Sequence, residues 1–254
     1  MTRATVLVTG GARRVGAAIV REFADAGWHA VIHYGQSREA AEKLAAELPS
    51  AETVQCDLAD LDAIAAMVDT IAARHEDWRA LVNSASVFED DGVTALDPSV
   101  FGQAMRVNAR APAALAQGFL AKSRTGNVRS VVQVTDQKLA NPNPDFFSYT
   151  MSKHALDATI AMLAKAHGDE AVRIYGLAPG AILESHDQDP QEAETSHRLN
   201  LLERRTRPEE VGQAAVFLAE GHLATGQTIY IDSGQHLLDQ DRDVIYLARE
   251  GETP

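Results

Sequence analysis

Short β-branched runs alternate with amphipathic stretches along the whole chain, and this alternation constrains the fold more than any other feature. Stretches such as REAAEKLAAEL and DLDAIAAMVDTIAARH have apolar residues at helical spacing and separate the runs. A strand and helix order that repeats to the end is typical of a parallel sheet covered on both faces. The runs predicted to be strands are ATVLVT (4–9), HAVIHY (29–34), AETVQC (51–56), RALVN (79–83), VRSVVQVT (128–135), AVRIYGL (171–177) and QTIYID (227–232).

The same pattern predicts a single α/β domain over residues 1–254. No linker, low-complexity tract or internal repeat divides the chain, and 45% hydrophobic residues can fill one large core. Right-handed crossovers then favour a doubly wound sheet, which binds its ligands at the carboxyl ends of the strands. We therefore expect the functional residues in the loops that follow the strands.

Charge and cysteine content narrow the class of partner. Asp and Glu outnumber Lys and Arg by 36 to 23, a formal charge of −13 that disfavours nucleic acid and membrane surfaces and favours a small molecule. The start MTRATVLVTGG has no signal-peptide pattern, and no apolar run approaches a membrane span, so we expect a cytoplasmic protein. The single cysteine, Cys56, is expected to be a small buried residue. The nine histidines lack ligand spacing, so no metal site is predicted.

A glycine-rich turn, TGGARRVGAAI (9–19), follows the first predicted strand. Gly10 and Gly16 let the backbone approach a pyrophosphate, and the helix that begins here supplies unpaired N–H groups. Arg13 and Arg14 add positive charge, which is unfavourable at a helix start unless an anion binds there. The turn is interpreted as a phosphate-binding loop; a plain strand-to-helix connection is the alternative.

The end of the second predicted strand indicates which nicotinamide cofactor fits. NAD-dependent folds place an acid there for the ribose 2′-hydroxyl, whereas VIHYGQSRE has none and continues with Ser37 and Arg38. Arg13 can approach from the glycine-rich turn, so NADPH is the expected cofactor. Asp57, after the third strand, is placed to accept a hydrogen bond from the adenine amino group, with a helix N-cap as the alternative.

A Tyr-x-x-x-Lys pair, Tyr149 and Lys153, lies on one face of a predicted helix. A lysine ammonium beside a phenol favours phenolate, so we expect it to lower the pKa of Tyr149 towards the working pH. The fifth predicted strand ends at Asp136, which brings a carboxylate to the same place. A solvated surface pair is the alternative reading of Tyr149 and Lys153.

Six features together resemble the short-chain dehydrogenase/reductase family in order and spacing, over nearly the whole chain. They are TGGARRVG (9–16), CDL (56–58), NSAS (83–86), Asn108 in MRVNARAP, YTMSK (149–153) and APG (178–180). The resemblance implies a seven-stranded doubly wound Rossmann sheet and a homotetramer. It also implies that the family's Asn, Ser, Tyr and Lys tetrad maps to Asn108, Asp136, Tyr149 and Lys153, with an aspartate in place of the serine.

Two departures from the family pattern coincide. Arg14 stands where most members have the middle glycine of the loop, and Asp136 replaces the serine; both are features of pteridine reductases and bacterial dihydromonapterin reductases. Phe88 is at the position where those enzymes stack an aromatic ring over the pterin, with a buried loop anchor as the alternative. The stretch 177–211 matches their variable substrate lid, expected at about 181–207.

The resemblance implies a role for each residue of the site. Hydride passes to a pterin ring carbon, and Tyr149, assisted by Asp136, protonates the adjacent nitrogen. Lys153 holds the nicotinamide ribose, Asn108 keeps the active-site helix in place, and Arg14 contacts pterin or pyrophosphate. The expected substrate-binding residues are Arg14, Ser86, Phe88, Asp136 and Tyr149. The expected cofactor-binding residues are Gly10, Arg13, Arg14, Val15, Ser37, Arg38, Asp57, Leu58, Asn83, Ala85, Ser86, Tyr149, Lys153, Pro179 and Gly180.

Two other functions and one structural alternative stay open at this point. The chain could be an NADPH-dependent carbonyl or 3-oxoacyl reductase with an altered tetrad, or a non-catalytic NADP(H)-sensing protein. The intact Tyr149, Lys153 and Asn108 argue against the sensor. The C-terminal tail, about 237–254, carries the apolar cluster VIYL (244–247), which we expect at a subunit boundary, with local packing as the alternative.

Overall fold

All seven predicted strands are present and pair in parallel in one sheet of order β3-β2-β1-β4-β5-β6-β7. The computed structural model describes residues 3–184 and 188–250, so residues 185–187 of the expected lid and 251–254 of the expected tail lie outside the described residues. The strands are β1 Thr5–Thr9, β2 His29–Tyr34, β3 Ala51–Gln55, β4 Trp78–Asn83, β5 Arg129–Val134, β6 Val172–Pro179 and β7 Thr228–Ile231.

The strand boundaries depart from the sequence prediction most at the sixth strand. The prediction ended it at residue 177, whereas β6 continues to Pro179, because Ala178 and Pro179 pair with Tyr230 and Ile231 of β7. This extension carries the chain to the same edge of the sheet at which β1 to β5 end. The predicted doubly wound, seven-stranded α/β fold is confirmed.

The helices lie between the strands, as the amphipathic stretches indicated. Several begin at an aspartate: the Asp60 carboxylate accepts hydrogen bonds from two backbone N–H groups at the start of α3, and Asp97 and Asp189 do the same before a proline. A π-helical segment, Met105–Arg110, joins α4 to α5. The helices are α1 Arg14–Asp25, α2 Arg38–Glu47, α3 Leu61–Arg74, α4 Pro98–Ala104, α5 Ala111–Lys122, α6 Phe147–Ala166, α7 Pro190–Ser196, α8 Pro208–Ala219 and α9 Val244–Glu250.

Two apolar layers cover the sheet. Successive strand residues point to opposite faces, so Val6 and Val8 pack with α1 and α8, whereas Leu7 packs with α3, α5 and α6. Phe23 and Phe119 are fully buried, one in each layer, and burial of such a side chain contributes roughly 1.5–3 kcal/mol. None of the helices that the structure describes has the length and apolar character needed to cross a bilayer.

The sheet has its topological switch point at β1, which lies between β2 and β4. The chain runs outward from β1 through β2 to β3 and then crosses back to β4 on the other side of β1. The resulting crevice at the carboxyl edge is where doubly wound folds bind ligands. Two glycines shape this point. Gly10 has φ +64, and a Cβ there would approach the Ala85 Cα to 2.9 Å, while a Cβ on Gly16 would collide with the Gly10 carbonyl oxygen. Both positions therefore require glycine.

Candidate active site

A cavity of about 790 Å³ opens at the carboxyl edge of the sheet, where the predicted loops converge. Four predicted residues, Ser37, Arg38, Asn83 and Asn108, lie outside its lining. The predicted residues that line it are Gly10, Arg13, Arg14, Val15, Asp57, Leu58, Ala85, Ser86, Phe88, Asp136, Tyr149, Lys153, Pro179 and Gly180. The fold therefore brings together residues that are up to 170 positions apart in the sequence.

The turn between β1 and α1 forms one end of this cavity. Arg13 is the N-cap of α1 but gives no side-chain hydrogen bond to the helix start, and no acid lies in the first turn. The first turn of α1 lines the cavity, so the N–H groups of an uncapped helix start and the positive end of the helix dipole lie at this end, an arrangement suited to a pyrophosphate. Arg14 has φ +54, and its guanidinium donates to the carbonyl oxygens of Leu183 (3.3 Å) and Glu184 (2.9 Å). Arg14 thus ties the glycine-rich turn to the expected lid.

His33 supports this turn, and sequence reasoning did not single it out. Its Nδ1 accepts a 3.1 Å hydrogen bond from the Gly10 backbone N–H, and its Nε2 lies 3.1 Å from the Cys56 carbonyl oxygen. Burial lowers the pKa of His33 to about 4, so the ring is neutral and has one proton, on Nε2. The sequence did contain a signal for this role: a histidine at the end of the second predicted strand, with no acid beside it.

The end of β2 has no acid, as the sequence indicated, and Gly35 and Gln36 line the cavity there. Arg38 lies outside, with its Nε 3.2 Å from the Tyr34 hydroxyl and 3.6 Å from a Glu42 carboxylate oxygen. Asp57 lines the cavity. Its carboxylate accepts a hydrogen bond from the Ala59 N–H, whereas Asp60 caps α3, so the alternative reading of Asp57 as the helix N-cap is wrong.

Two of the expected site residues, Asn83 and Asn108, lie behind the cavity lining and hydrogen-bond to other parts of the protein. Asn83 is buried in the sheet, where its Nδ2 donates to Gln133 Oε1 at 2.9 Å. Asn108 is also buried; it exchanges hydrogen bonds with both backbone groups of Val87 and donates to Ser152 Oγ at 3.0 Å. Asn108 therefore joins the π-helical segment, the loop after β4 and helix α6. These contacts support its expected task of keeping the active-site helix in place.

Asp136, Tyr149 and Lys153 meet at the end of β5. The Tyr149 hydroxyl donates a 2.6 Å hydrogen bond to Asp136 Oδ2, and the Lys138 backbone N–H donates to Asp136 Oδ1 at 2.8 Å. Lys153 Nζ donates to the Val134 carbonyl oxygen at 2.8 Å and lies 5.6 Å from the centre of the Tyr149 ring. An acid, a phenol and an ammonium thus share one partly buried site.

The electrostatics of this group correct one expectation. Burial and the adjacent Asp136 raise the pKa of Tyr149 well above its usual range, opposite to the lowering predicted from Lys153. Burial is the largest cause, and the carboxylate adds to it because it is in direct contact with the hydroxyl whereas the ammonium is not. Burial also raises the pKa of Asp136 and lowers the pKa of Lys153 to about 8. Tyr149 is therefore a protonated donor, held by an acid that resists ionisation.

An aromatic group forms the other end of the cavity. Phe88 stacks on Phe146 with ring centres 4.1 Å apart and meets Tyr149 edge-on at 4.7 Å. Ile245 of α9 packs in the same cluster. Phe88 packs against its neighbours, as a buried loop anchor would. It also lines the cavity, as a ring that stacks over the substrate would. A flat apolar ligand can be held against such a surface.

The C-terminal tail packs beside the cavity of its own chain. Buried Lys138 pairs with Asp243 at 3.1 Å and donates to the Asp145 carbonyl oxygen, and Arg242 pairs with the Asp145 carboxylate at 2.8 Å. Arg249 reaches Glu192 of α7 at 3.2 Å. The described residues of the tail therefore pack locally, as the alternative proposed, and the expected subunit boundary stays a prediction. Sequence reasoning missed the partner of the tail, Lys138, which lies two positions after Asp136.

This fold and this edge define the class of protein: a doubly wound dinucleotide-binding enzyme with a Tyr and Lys reaction centre. The family model described as "Enoyl-(Acyl carrier protein) reductase" matches residues 10–236. The chain therefore belongs to the short-chain dehydrogenase/reductase family and is an oxidoreductase, which sets aside the non-catalytic alternative.

Three similar proteins divide between two kinds of substrate. The crystal structure of FolM alternative dihydrofolate reductase 1 from Brucella suis, in complex with NADP, is 35% identical, covers 92% of this chain and 96% of its own, and has a TM-score of 0.87. A putative ketoacyl reductase of the granaticin polyketide synthase from Streptomyces violaceoruber is 30% identical over 242 residues, 91% and 96% of the two chains. Dihydromonapterin reductase from Shigella boydii is 23% identical over 234 residues, again 91% and 96%.

Proposed function

We propose that this NADPH-dependent oxidoreductase reduces a pterin or dihydropterin, with the proton supplied by Tyr149. The observation that carries the proposal is the hydrogen bond of 2.6 Å between Tyr149 and Asp136, at the position where the family has a serine. The Brucella protein, solved with NADP, and the Shigella reductase support the cofactor and the substrate class. NADPH supplies the hydride when it is bound.

The cofactor end of the cavity fits a phosphorylated dinucleotide. The open start of α1 offers backbone N–H groups to a pyrophosphate, and the absence of an acid after β2 leaves room for a 2′-phosphate. Arg13 lines this part of the cavity and would neutralise that phosphate. Lys153 would hold the nicotinamide ribose at the reacting end, where its ammonium is fixed by the Val134 carbonyl oxygen.

The reacting residues form a short route for a proton. Tyr149 donates to the ring nitrogen next to the carbon that is reduced, and Asp136 returns a proton to Tyr149 through the hydrogen bond between them. The raised pKa of Asp136 suits this step, because general acids work best when their pKa lies near the operating pH. Phe88 would cover the flat face of the substrate. A pterin, whose ring nitrogens and amino group both donate and accept, suits an acid that exchanges protons.

A carbonyl or 3-oxoacyl substrate is the second candidate, and the ketoacyl reductase at 30% identity favours it. A ketone oxygen needs a neutral hydroxyl donor and gains nothing from a carboxylic acid behind that donor. The two candidates therefore differ in the use they make of Asp136.

The test is the oxidation of NADPH, followed by its absorbance, with three substrates in parallel. Dihydrobiopterin and dihydromonapterin represent the proposed class, and a simple β-keto ester represents the second. We expect turnover with at least one dihydropterin and a lower kcat/KM with the ester. Turnover of the ester alone would reject the proposal and leave the family assignment intact.

A further inference from the structure

Three potential metal ligands converge at the edge of the sheet opposite the cavity. His29 begins β2, Glu52 is the second residue of β3, and His75 is the C-cap of α3. One ligand atom from each lies within 4.8 Å of the other two. We propose that these residues form a site for a divalent transition-metal cation of the zinc class, separate from the catalytic centre.

His29 is prepared for such a role. Its Nδ1 lies 2.8 Å from the Ser50 hydroxyl, while its Nε2 is buried and has no hydrogen-bond partner among the described residues. If Nδ1 carries the proton and donates it to Ser50, the lone pair of Nε2 is free. Ligating histidines usually have such a fixed second nitrogen, because it sets the tautomer and the ring orientation. A cation would also satisfy a buried acceptor that otherwise lacks a partner.

His75 and Glu52 complete the donor set. His75 Nε2 lies 3.1 Å from Glu52 Oε1, and the His75 ring stacks on His29 with centres 4.9 Å apart. The His75 side chain is 14% exposed and that of Glu52 is 34% exposed, so neighbouring groups limit the motion of both. Two imidazoles and a carboxylate are the ligands of many three-residue zinc sites, in which water takes the fourth position.

Binding requires small movements of these side chains. Tetrahedral bonds of about 2.0–2.1 Å place ligand atoms roughly 3.3 Å apart, so the three must draw together from their present spread. Arg74 lies 3.9 Å from Glu52 Oε1 and would oppose a cation, but its side chain is 64% exposed and can turn into solvent. The net charge of −13 favours cation binding overall.

Such a site would join three segments that are distant in the sequence. Residues 29, 52 and 75 follow one another at intervals of 23 positions, about one strand and helix unit, which is why no ligand motif is visible in the sequence. A bound cation would hold β2, β3 and α3 together at their ends. Its effect is therefore on stability, since the catalytic group lies at the other edge of the sheet.

The test uses Zn²⁺ alone with the full-length chain after removal of any histidine tag. Isothermal titration should show one Zn²⁺ per chain, and Zn²⁺ at about 100 times its Kd should raise Tm by on the order of 5 °C. His75→Ala and Glu52→Gln should each weaken binding by at least about tenfold. The matched control is His222→Ala, which removes another histidine paired with a glutamate on the surface and should leave binding unchanged.

Two results would overturn the proposal. One is the lack of saturable Zn²⁺ binding to the parent protein. The other is binding that survives His29→Ala and His75→Ala, since the ligands would then lie elsewhere. Circular dichroism of each variant without Zn²⁺ shows whether that variant folds. If a histidine variant does not fold, Zn²⁺ binding to Glu52→Gln decides whether these residues are the ligands.

Discussion

The Tyr149 hydroxyl donates to Asp136 Oδ2 over 2.6 Å, so the expected proton donor is bonded to a second acid. This contact joins α6 to the end of β5. Burial raises the pKa of both groups, and the contact with Asp136 raises the pKa of Tyr149 further. A serine at position 136 could position the tyrosine but could not give it a proton near neutral pH. The use that the enzyme makes of this acid can be measured.

Replacement of the acid by the usual serine should separate the two substrate classes. We expect Asp136→Ser to lower dihydropterin turnover on the order of a hundredfold, the usual cost of losing a positioned proton-transfer group. A carbonyl substrate should lose little or gain. Steady-state kcat on both substrates checks this. If the serine variant reduces dihydropterin as fast as the parent, Asp136 is not catalytic.

Removal of the Tyr149 hydroxyl should be at least as severe. Tyr149→Phe keeps the ring that packs against Phe88 and removes the donor, so kcat should fall by at least about a hundredfold. NADPH affinity should persist, because Gly10, Gly16 and Lys153 are unchanged. Fluorescence titration with NADPH measures this affinity. A fall in NADPH affinity together with the fall in kcat would indicate that the substitution disturbs the whole site.

The raised pKa of Asp136 also predicts a dependence of stability on pH. The pKa of Asp136 in the folded protein lies above the ordinary 3.8. The contribution of this group to the free energy of unfolding is therefore fully present below pH 3.8, and it is lost as the pH rises through the folded pKa. Asp136→Asn, which cannot ionise, should therefore gain stability over the parent as the pH rises towards 7. Urea unfolding from pH 4 to 8 measures the difference, with exposed Asp25→Asn as the control. Parallel curves for parent and variant would contradict the assignment.

Cofactor choice should depend on Arg13 more than on Arg38. We expect NADPH to be preferred over NADH by at least about tenfold in kcat/KM, or about 1.4 kcal/mol. Arg13→Ala should shrink this preference because Arg13 lines the cavity. Arg38→Ala should change it less, since that guanidinium is engaged with Tyr34 and Glu42. Equal kcat/KM of the parent with both cofactors would reject the prediction.

The buried pair that holds the C-terminal tail should matter for stability. Asp243→Asn leaves the Lys138 ammonium, 4% exposed, without its carboxylate partner, and breaking one side of a buried pair costs about 3 kcal/mol. The exposed Asp241→Asn should change the free energy of unfolding by less than about 0.5 kcal/mol. Urea unfolding compares the two variants. We also expect Asp243→Asn to raise KM for the reduced substrate, because Val244 and Ile245 line the cavity.

At the reaction centre, the sequence indicates where the groups lie but not how they titrate. Helical spacing placed Tyr149 and Lys153 on one face, and the end of a β-branched run placed Asp136 beside them. The direction of the Tyr149 pKa shift was predicted wrongly, because it depends on which charge touches the hydroxyl and on how much water is excluded. Neither quantity can be read from spacing along the chain.

The sequence by itself determined the alternation of strands and helices, the glycine positions of the turn after β1 and the residue types at the carboxyl edge. These features depend on local periodicity and backbone sterics, which act over a few residues. Only the tertiary structure decided that Lys138 pairs with Asp243, that His33 holds the Gly10 turn and that His29 meets His75. Those contacts join segments far apart in the chain, and they are fixed by how strands pair and helices pack, so no local pattern encodes them.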